Sequence, residues 1–391
     1  MSTMRLLRDH PVVPGERWVY SAGFNVGPAL TDTARIDTEL EDLRGLAAAG
    51  ARVALLSHQG SAKDGTARHL DHLAGYLGRR LGREVRYLPE CSSRQARRWA
   101  AELRDGEIAL FGNVRLEAGE ERGDRELAAA LAHLGDRVAV GGFSKAHRRH
   151  ASNVGILDFL PGYAASSLLR ETELLRPWAA GGGAAGSVAV LGGVKPEKTV
   201  VGLESLTRTY DVVIPGGVVL NTLLAVSGYA IGASELGTDA ERCATVARTV
   251  LGGRRRARIH LPRTVLIAGP DGATRTVAVE AGVPDGWAIV DFDLERWAVD
   301  AVREAGRVLV AGTPGRHAEG NHRAAAAVLG ARAPGEPHTL LLGGDTVTEL
   351  PWTGPRSTGG GSALHYLADG TCAVFEALED NRKKGVGDHA A

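Results

Sequence analysis

Short, fully apolar segments alternate with helical segments along most of this chain. The helical segments repeat apolar residues at helical spacing, as in Thr66–Leu81, Ser93–Leu103 and Arg125–Leu134. Strands that are apolar on both faces and alternate with helices are typical of parallel sheets covered on both sides. The sequence therefore predicts an α/β fold. The predicted strands are Arg52–Ser57, Ile108–Phe111, Arg137–Val140, Ser187–Leu191, Asp211–Ile214, Val265–Ala268, Arg307–Val310 and Thr339–Leu342.

The length of the chain allows two such domains. Its 391 residues, of which 44% are hydrophobic, are enough to build two separate cores. Ser166–Trp178 is predicted to be a helix, and the glycine-rich tract after it, Ala179–Gly186, is predicted to be a flexible joint. We therefore expect an N-terminal domain over 1–165, an interdomain helix and hinge over 166–186, a C-terminal domain over 187–380 and a polar tail over 381–391.

Charge and cysteine content exclude several classes of protein. The 46 basic and 46 acidic residues give a net charge of zero, so no overall field favours nucleic acid or a membrane surface. Cys91, Cys243 and Cys372 are far apart and lack the spacing of metal ligands. No apolar run reaches the length of a membrane span, and the first residues lack the apolar stretch of a signal peptide. We expect a cytoplasmic monomer.

Three glycine-rich turns follow strand-like segments in the second half of the chain. They are Leu191–Lys195, Leu342–Thr346 and Ser357–Ser362. In such a turn, backbone N–H groups can approach a phosphate closely, and a helix that begins there adds the positive end of its dipole. One glycine pair in a chain with 52 glycines usually means only a tight connection. Three turns with different polar groups favour a binding site.

The polar groups on these turns suit a nucleoside triphosphate. Lys195 offers a compact cation for phosphate oxygens, Asp345 an acid for Mg²⁺ and Thr346 a hydroxyl group. No G-x-x-x-x-G-K-[ST] sequence occurs anywhere in the chain. The turns therefore predict a nucleotide site that is built without a Walker A motif.

A different set of residues follows the strands of the first half. His58, Arg115 and Arg148 come after three predicted strands, and Arg35 lies where a helix opens. Ligands of open α/β sheets bind at the carboxyl ends of the strands, so these side chains are expected to share one crevice. Such a cluster favours an anion, either a carboxylate or a phosphate. Frequent arginines can also be solvated, which we accept for Arg149 and leave open for Arg35.

The order of these motifs resembles the phosphoglycerate kinase family, from about Ser21 to the C-terminal region. The matching segments are Gly23–Val26, Arg35-Ile36, Leu56–Gly60, Asn113–Arg115, Ala146–Ser152, Leu191–Lys195, Pro215–Gly217, Pro284–Trp287, Gly343–Thr346 and Ser357–Gly361. The resemblance implies two Rossmann-like domains with parallel sheets, joined by a long helix and a hinge. It also implies a nucleotide on the C-terminal domain and an acidic substrate on the N-terminal one, with hinge closure for phosphoryl transfer between an acyl phosphate and ADP, or the reverse.

Roles for individual residues follow from the resemblance. Lys195 and Arg35 are then catalytic, and Asp345 is the ligand of the Mg²⁺ that accompanies ATP or ADP. The substrate-binding residues are Asn25, His58, Arg115, His147 and Arg148. The nucleotide-binding residues are Gly193, Lys195, Gly216, Gly217, Gly344, Asp345, Thr346, Gly359, Gly360 and Gly361.

The chain departs from the family pattern on both sides. Gly23 stands where the family has an aspartate that contacts the glycerate hydroxyl, and Ser61 where it has a phosphate-binding arginine. Gly141–Ser144 replaces Asp-Ala-Phe-Gly. On the nucleotide side, the second lysine of Lys-x-x-x-Lys falls on Thr199, and Lys198 stands one place early. Val310–Gly315 replaces Trp-Asn-Gly-Pro-Met-Gly, and whether Lys198 takes over the missing role stays open.

These departures lead to three hypotheses about function. The first is a phosphotransferase that makes or uses an acyl phosphate with a small anionic carboxylic acid other than 3-phosphoglycerate. The second is a glycolytic phosphoglycerate kinase, and the third is a nucleotide-binding homologue without catalysis. The missing groups at Gly23 and Ser61 favour the first over the second, while Lys195 and Asp345 argue against the third.

Overall fold

The computed structural model describes residues 4–31, 33–179 and 186–386. The chain forms two compact units, Met1–Glu173 with Thr371–Ala391 and Leu174–Gly370. Six residues of the predicted glycine-rich joint, 180–185, lie outside the described residues. Among the described helices, none combines the length and the apolar character needed to cross a bilayer.

The first unit is built on a six-stranded parallel sheet. Its strands are β1 Arg17–Ser21, β2 Arg52–Leu56, β3 Val85–Leu88, β4 Ile108–Phe111, β5 Arg137–Val140 and β6 Gly162–Ala164. They lie in the order β3-β4-β2-β1-β5-β6. From β1 the chain builds outward first on one side, through β2, and later on the other, through β5. Ligands of such sheets bind where the strand order reverses, here between the ends of β1 and β5.

Helices cover this sheet and close its core. In chain order they are α1 Ala34–Asp37, α2 Leu40–Ala48, α3 Asp71–Leu81, α4 Arg94–Ala101, α5 Arg125–Ala132 and α6 Ser166–Leu175. Trp18, Tyr20 and Leu55 of the strands pack with Leu43 and Leu77 of the helices, and all five are completely buried. Burial of both sheet faces explains why the central strands β2 and β4 consist almost entirely of apolar residues.

The second unit contains a parallel sheet and a smaller antiparallel one. Its strands are β7 Ser187–Leu191, β8 Val212–Pro215, β9 Arg258–Ile259, β10 Thr264–Ala268, β11 Thr274–Ala278, β12 Ala288–Phe292, β13 Arg307–Ala311, β14 Thr339–Leu342 and β15 Arg356–Ser357. The parallel sheet has the order β15-β14-β13-β7-β8-β9, and the antiparallel one β11-β10-β12. The strand order reverses between β7 and β13, which places a second ligand site there.

The helices of the second unit follow its strands. They are α7 Glu204–Thr209, α8 Gly217–Val226, α9 Ala240–Gly252, α10 Arg296–Glu304, α11 Arg323–Gly330, α12 Gly344–Glu349 and α13 Gly360–Asp369. A π-helical turn, Lys198–Leu203, precedes α7. The core packs β7, β8, β13 and β14 against α8, α11 and the antiparallel sheet.

Most predicted strands are present, but one of them lies in an antiparallel sheet and not in a parallel one as predicted. The segment Val265–Ala268 lies in β10, which pairs in antiparallel fashion with β11 and β12. Its apolar character reflects burial in the same core, and burial alone does not distinguish a parallel neighbour from an antiparallel one. The helix predicted from Thr66 begins at Asp71, and the one predicted over Ser166–Trp178 ends in a 3₁₀ turn, Arg176–Trp178.

The last helix, α14 Ala373–Lys383, belongs to the first unit, whereas the sequence-based division placed residues up to 380 with the second. Asn381, the first residue of the predicted tail, is buried in this helix. Its side chain accepts a hydrogen bond from the Gly162 N–H (2.8 Å) and donates to the Leu157 and Leu160 carbonyls (2.6 and 2.8 Å). Apolar spacing did not reveal it, because a polar side chain makes the contact.

Candidate functional site

The turns that follow β7, β8 and β13 in the second unit cross one another with almost no space between their backbones. A Cβ on Gly192 would lie 2.1 Å from the Thr313 carbonyl oxygen, and one on Gly217 would lie 2.7 Å from that of Gly193. The Gly193 N–H donates to the Thr313 oxygen (3.0 Å), and the Gly217 N–H to the Pro314 oxygen (2.9 Å). A Cβ on Gly216 would lie 2.3 Å from the Pro314 oxygen, so packing requires glycine at both Gly216 and Gly217, two of the predicted nucleotide-binding residues. A Cβ on Gly193, in contrast, would meet nothing within 4 Å.

The crossed turns enclose one end of a cavity of about 230 Å³ at the point where the strand order reverses. Its walls combine apolar side chains with polar and charged ones, and sites that bind small molecules join the two kinds of group. Asn221 lies in this wall and was missed by sequence analysis. Its amide nitrogen donates to the Glu235 carbonyl (2.9 Å), while its buried oxygen has no hydrogen-bond partner among the described residues.

Lys195 and Asp345 meet at the outer end of their turns. The Lys195 Nζ lies 3.0 Å from the Asp345 Oδ2, and the two side chains are 64% and 74% exposed. An ion pair this exposed contributes little stability, so either group can exchange its partner for a ligand. Thr346, the next residue along the chain, is buried. Gly344 begins α12, the helix that carries both residues.

The glycine-rich turn Ser357–Ser362 leads into α13. The Gly359 N–H donates to the Ser357 hydroxyl (3.0 Å), and Gly343 N–H donates to the Ser357 carbonyl (2.8 Å), which joins this turn to the one that carries Asp345. Gly360 has a φ of +52°, and Gly361 follows it inside the helix. The structure thus brings Gly193, Lys195, Gly344, Asp345 and the 359–361 turn to one edge of the sheet.

The donors at this edge fit a metal that arrives with a nucleotide. Among the described residues, no group of three or more His, Cys, Asp or Glu side chains could hold a metal ion. Mg²⁺ is commonly held by one or two carboxylates together with substrate phosphates. The single exposed carboxylate of Asp345 matches that arrangement.

In the first unit, Gly23 and Gly142 come together at the other strand-order reversal. A Cβ built on Gly23 would lie 3.0 Å from the Gly142 Cα. Gly142 has a φ of +71°, and its N–H donates to the buried carboxylate of Glu39 (2.9 Å). Tyr20 donates to the same carboxylate. The space next to Gly23 is therefore filled by backbone.

A buried ammonium group, Lys145, was missed by sequence analysis although it lies in the segment that carries His147 and Arg148. It is only 5% exposed, and its Nζ donates to the Ser21 hydroxyl (3.0 Å) and the Asn153 Oδ1 (2.6 Å). Burial lowers the pKa of Lys145 to about 8, while nearby Glu120 and Glu39 act in the opposite direction. The lysine ties the end of β1 to the loop after β5.

Arg115 and the histidines form the rest of this cluster. Arg115 is buried and forms an ion pair with Glu121, and its pKa is lowered by burial and then by nearby Arg148. Burial followed by the neighbouring cations lowers the pKa of His58 well below its usual value and that of His150 to about 3. Both imidazoles are therefore neutral near pH 7. Arg148 and His147 are half-buried in the same loop.

The two remaining predicted residues of the first unit, Asn25 and Arg35, differ in their exposure to solvent. Asn25 is exposed with a φ of +43°, and its side-chain oxygen accepts a hydrogen bond from the Gly60 N–H (3.1 Å). Arg35 is half-buried in the short helix α1. Asn113 was not among the predicted site residues, yet it joins the turn after β2 to the turn after β4. Its Oδ1 accepts a hydrogen bond from the Arg115 N–H (3.0 Å), and its Nδ2 donates one to the Gln59 carbonyl (2.8 Å).

Sequence comparison relates this chain to known proteins over almost its full length. The family model described as phosphoglycerate kinase matches residues 15–380. A phosphoglycerate kinase of Moorella thermoacetica is 33% identical over 86% of this chain and 89% of its own length. One of Methylobacterium radiotolerans is 32% identical over 98% and 100%.

Solved structures show the same fold. Phosphoglycerate kinase from Pyrococcus horikoshii has a TM-score of 0.77 at 23% identity, covering 97% of this chain and 100% of that one. The enzyme from Coxiella burnetii has a TM-score of 0.72 at 24% identity, covering 96% and 99%. The two-domain α/β architecture expected from the sequence is confirmed.

Proposed function

The chain belongs to the phosphoglycerate kinase family and is a kinase that transfers phosphate between ATP or ADP and a carboxylate, and we propose that its acceptor is a carboxylic acid other than 3-phosphoglycerate. The observation that carries this proposal is the contact between Gly23 and Gly142. The family's aspartate at position 23 contacts a substrate hydroxyl, whereas here a side chain at this position would press against the Gly142 backbone. The pocket therefore lacks the carboxylate that selects a glycerate.

The loop after β2 supports the same conclusion. Ser61 stands where the family has an arginine; its N–H donates to the Thr66 hydroxyl (2.9 Å), and its own hydroxyl accepts from the Asp64 N–H (3.4 Å). Arg68, farther along the loop, donates to the Gly65 and Ala67 carbonyls (2.6 and 2.8 Å). The loss of one charge-assisted bond to phosphate weakens binding by about tenfold to a hundredfold.

The chemistry requires charge neutralisation rather than a general base. A carboxylic acid has a pKa of about 4, so the acceptor is already ionised at neutral pH. Arg115 and Arg148 attract this anion, and Arg35 aligns its carboxylate with the phosphoryl group. Lys195 binds the oxygens of the transferring group. Positioning and electrostatic stabilisation are the main contributions of enzymes to phosphoryl transfer.

The nucleotide occupies the second unit in this proposal. The crossed glycine turns and the 230 Å³ cavity receive its base and sugar, and the unpartnered Asn221 oxygen accepts a hydrogen bond from them. The turns at Asp345 and Gly359–Gly361 contact the phosphates. Asp345 would hold the Mg²⁺, which when bound neutralises phosphate charge.

The three cysteines bear on the location of the protein. We place the activity in the cytoplasm, since Cys91, Cys243 and Cys372 are all free and buried, as is usual in reducing compartments. The monomeric state stays a prediction.

Trapping with hydroxylamine tests the proposed acceptor. The purified protein is incubated with Mg-ATP, hydroxylamine and one acid at a time, and acyl phosphates are detected as coloured hydroxamates. We expect product with a carboxylic acid other than 3-phosphoglycerate and none with the Lys195→Ala variant. A rate with 3-phosphoglycerate above that of every other acid would overturn the proposal and make the protein a glycolytic enzyme.

A further inference from the structure

Lys198 is buried immediately below the turn that carries Lys195. Its side chain is 8% exposed, and its Nζ has no hydrogen-bond partner among the described residues. The Nζ lies 3.9 Å from the position that a Cβ on Gly343 would occupy, so the side chain reaches the start of the Asp345 turn. A buried ammonium without a partner is costly, and a protein keeps one only where something compensates.

The local backbone explains how the side chain reaches this place. Pro196 accepts hydrogen bonds from both the Thr199 and Val200 N–H groups (3.0 and 2.9 Å), and the chain then continues as the π-helical turn Lys198–Leu203. Such turns are rare, and they are frequent at functional sites. Thr199, at the next position, is completely buried and lies beside the thiol of Cys243 in α9. Position 198, and not 199, therefore faces the glycine turns.

The charges around Lys198 leave it prepared for an anion. Burial is the main cause that lowers its pKa, to about 8, and neighbouring Lys195 acts in the same direction. Glu197 and Asp345 act in the opposite direction, and neither forms a hydrogen bond with it. Asp345 is paired with Lys195 instead. No described acid neutralises this ammonium directly.

We propose that Lys198 is a second phosphate-binding cation, which holds nucleotide phosphate oxygens from inside the turn while Lys195 contacts them from outside. The proposal rests on the proposed function in one respect, that a nucleotide is the anion entering these turns. Lys198 is held by packing, whereas Lys195 is exposed and can follow the transferring group. A cation that is already in place loses little conformational entropy when the phosphate binds.

Calorimetry of ADP binding without any acid substrate tests this inference. We expect Lys198→Met to weaken ADP binding by about tenfold to a hundredfold at pH 7, the effect of losing one charge-assisted bond. Lys198→Arg should recover part of that loss, and Lys383→Met, an exposed lysine far along the chain, should bind ADP as the wild type does. Equal affinity of wild type and Lys198→Met would overturn the proposal.

Exchanging the two residues gives a sharper test. In the Lys198→Thr/Thr199→Lys double variant, the new lysine lies on the side that faces Cys243. We expect its ADP affinity to match that of Lys198→Met. Wild-type affinity in the exchanged protein would show that the position of the ammonium is unimportant, contrary to the proposal.

Proton uptake provides a measurement on the unmodified protein. A phosphate beside Lys198 raises its pKa, so the wild type should take up a proton when ADP binds at pH 8.5 in EDTA, measured in buffers of different ionisation enthalpy. Absence of uptake would count against the proposal. Since no acid is present, a wrong assignment of the acceptor would leave all three results unchanged, whereas failure of the wild type to bind ADP would overturn both proposals.

Discussion

The two candidate sites hold their charges in opposite ways. In the first unit, Lys145 and Glu120 are buried and fully engaged, the lysine with Ser21 and Asn153 and the carboxylate with the Ser152 N–H and hydroxyl. In the second, Lys195 and Asp345 are exposed and form an ion pair with each other. The comparison shows a buried lysine and carboxylate that support the structure of the first site, and an exposed ion pair in the second site that is available to a ligand.

The largest expected effect is on turnover. Lys195→Ala should lower kcat by about a hundredfold to a thousandfold, because it removes a preorganised donor to the transferring group. ADP should still bind, since other groups contact it. Steady-state kinetics and calorimetry measure the two effects separately. An unchanged kcat would remove Lys195 from the mechanism.

A methyl group at Gly23 should destabilise the first unit. Gly23→Ala places a Cβ against the Gly142 backbone, and overpacking of this kind costs about 1–3 kcal/mol of unfolding free energy. Urea unfolding measures it. Gly27→Ala, in the same segment, is the matched control because its Cβ would meet nothing within 4 Å. Equal stability of the two variants would mean that the backbone moves apart readily and that an aspartate could fit.

The neutral state of His150 predicts a dependence of stability on pH. The unfolded chain takes up a proton near pH 6.5, while burial and nearby cations hold the pKa of folded His150 at about 3, so this residue's contribution to stability is lost as pH falls below about 6.5. At pH 5 the loss is about 2 kcal/mol. The His150→Asn variant should lose that much less stability between pH 7 and 5, as measured by unfolding at each pH. Exposed His133→Asn is the control, and parallel pH profiles for wild type and His150→Asn would contradict the assignment.

The smallest effect is expected for the exposed pair. Asp345→Asn should change the unfolding free energy by less than about 1 kcal/mol, while weakening the binding of Mg-ADP relative to ADP alone. Glu120→Gln, at a buried carboxylate of the first unit, should cost about 1–3 kcal/mol because it disturbs the Ser152 hydrogen bonds. Similar stability losses in the two variants would erase the difference between the sites.

Much of the site could be located from the sequence because strand ends are easy to recognise. Glycine turns after β7 and β14, and His58 and Arg115 after β2 and β4, followed directly from apolar strands with polar residues behind them. Lys145, Asn113 and Asn221 could not be found in this way. Each is a polar side chain whose importance comes from burial and from partners far along the chain, which no local pattern records. The antiparallel pairing of β10 could not be predicted either, because its own apolar residues do not indicate the direction of the neighbouring strands.

The sequence by itself determined the alternation of strands and helices, the order of the motifs and therefore the family, because these depend on local periodicity and on residue type. Only the tertiary structure decided that the Gly142 backbone packs against Gly23. It also decided that the Lys145 ammonium is hydrogen-bonded, whereas the Lys198 ammonium has no hydrogen-bond partner among the described residues. Those distinctions depend on which backbones pass within a few ångströms of each other. Packing between distant segments, rather than the identity of any one residue, sets which charges are already satisfied and which are left for a ligand.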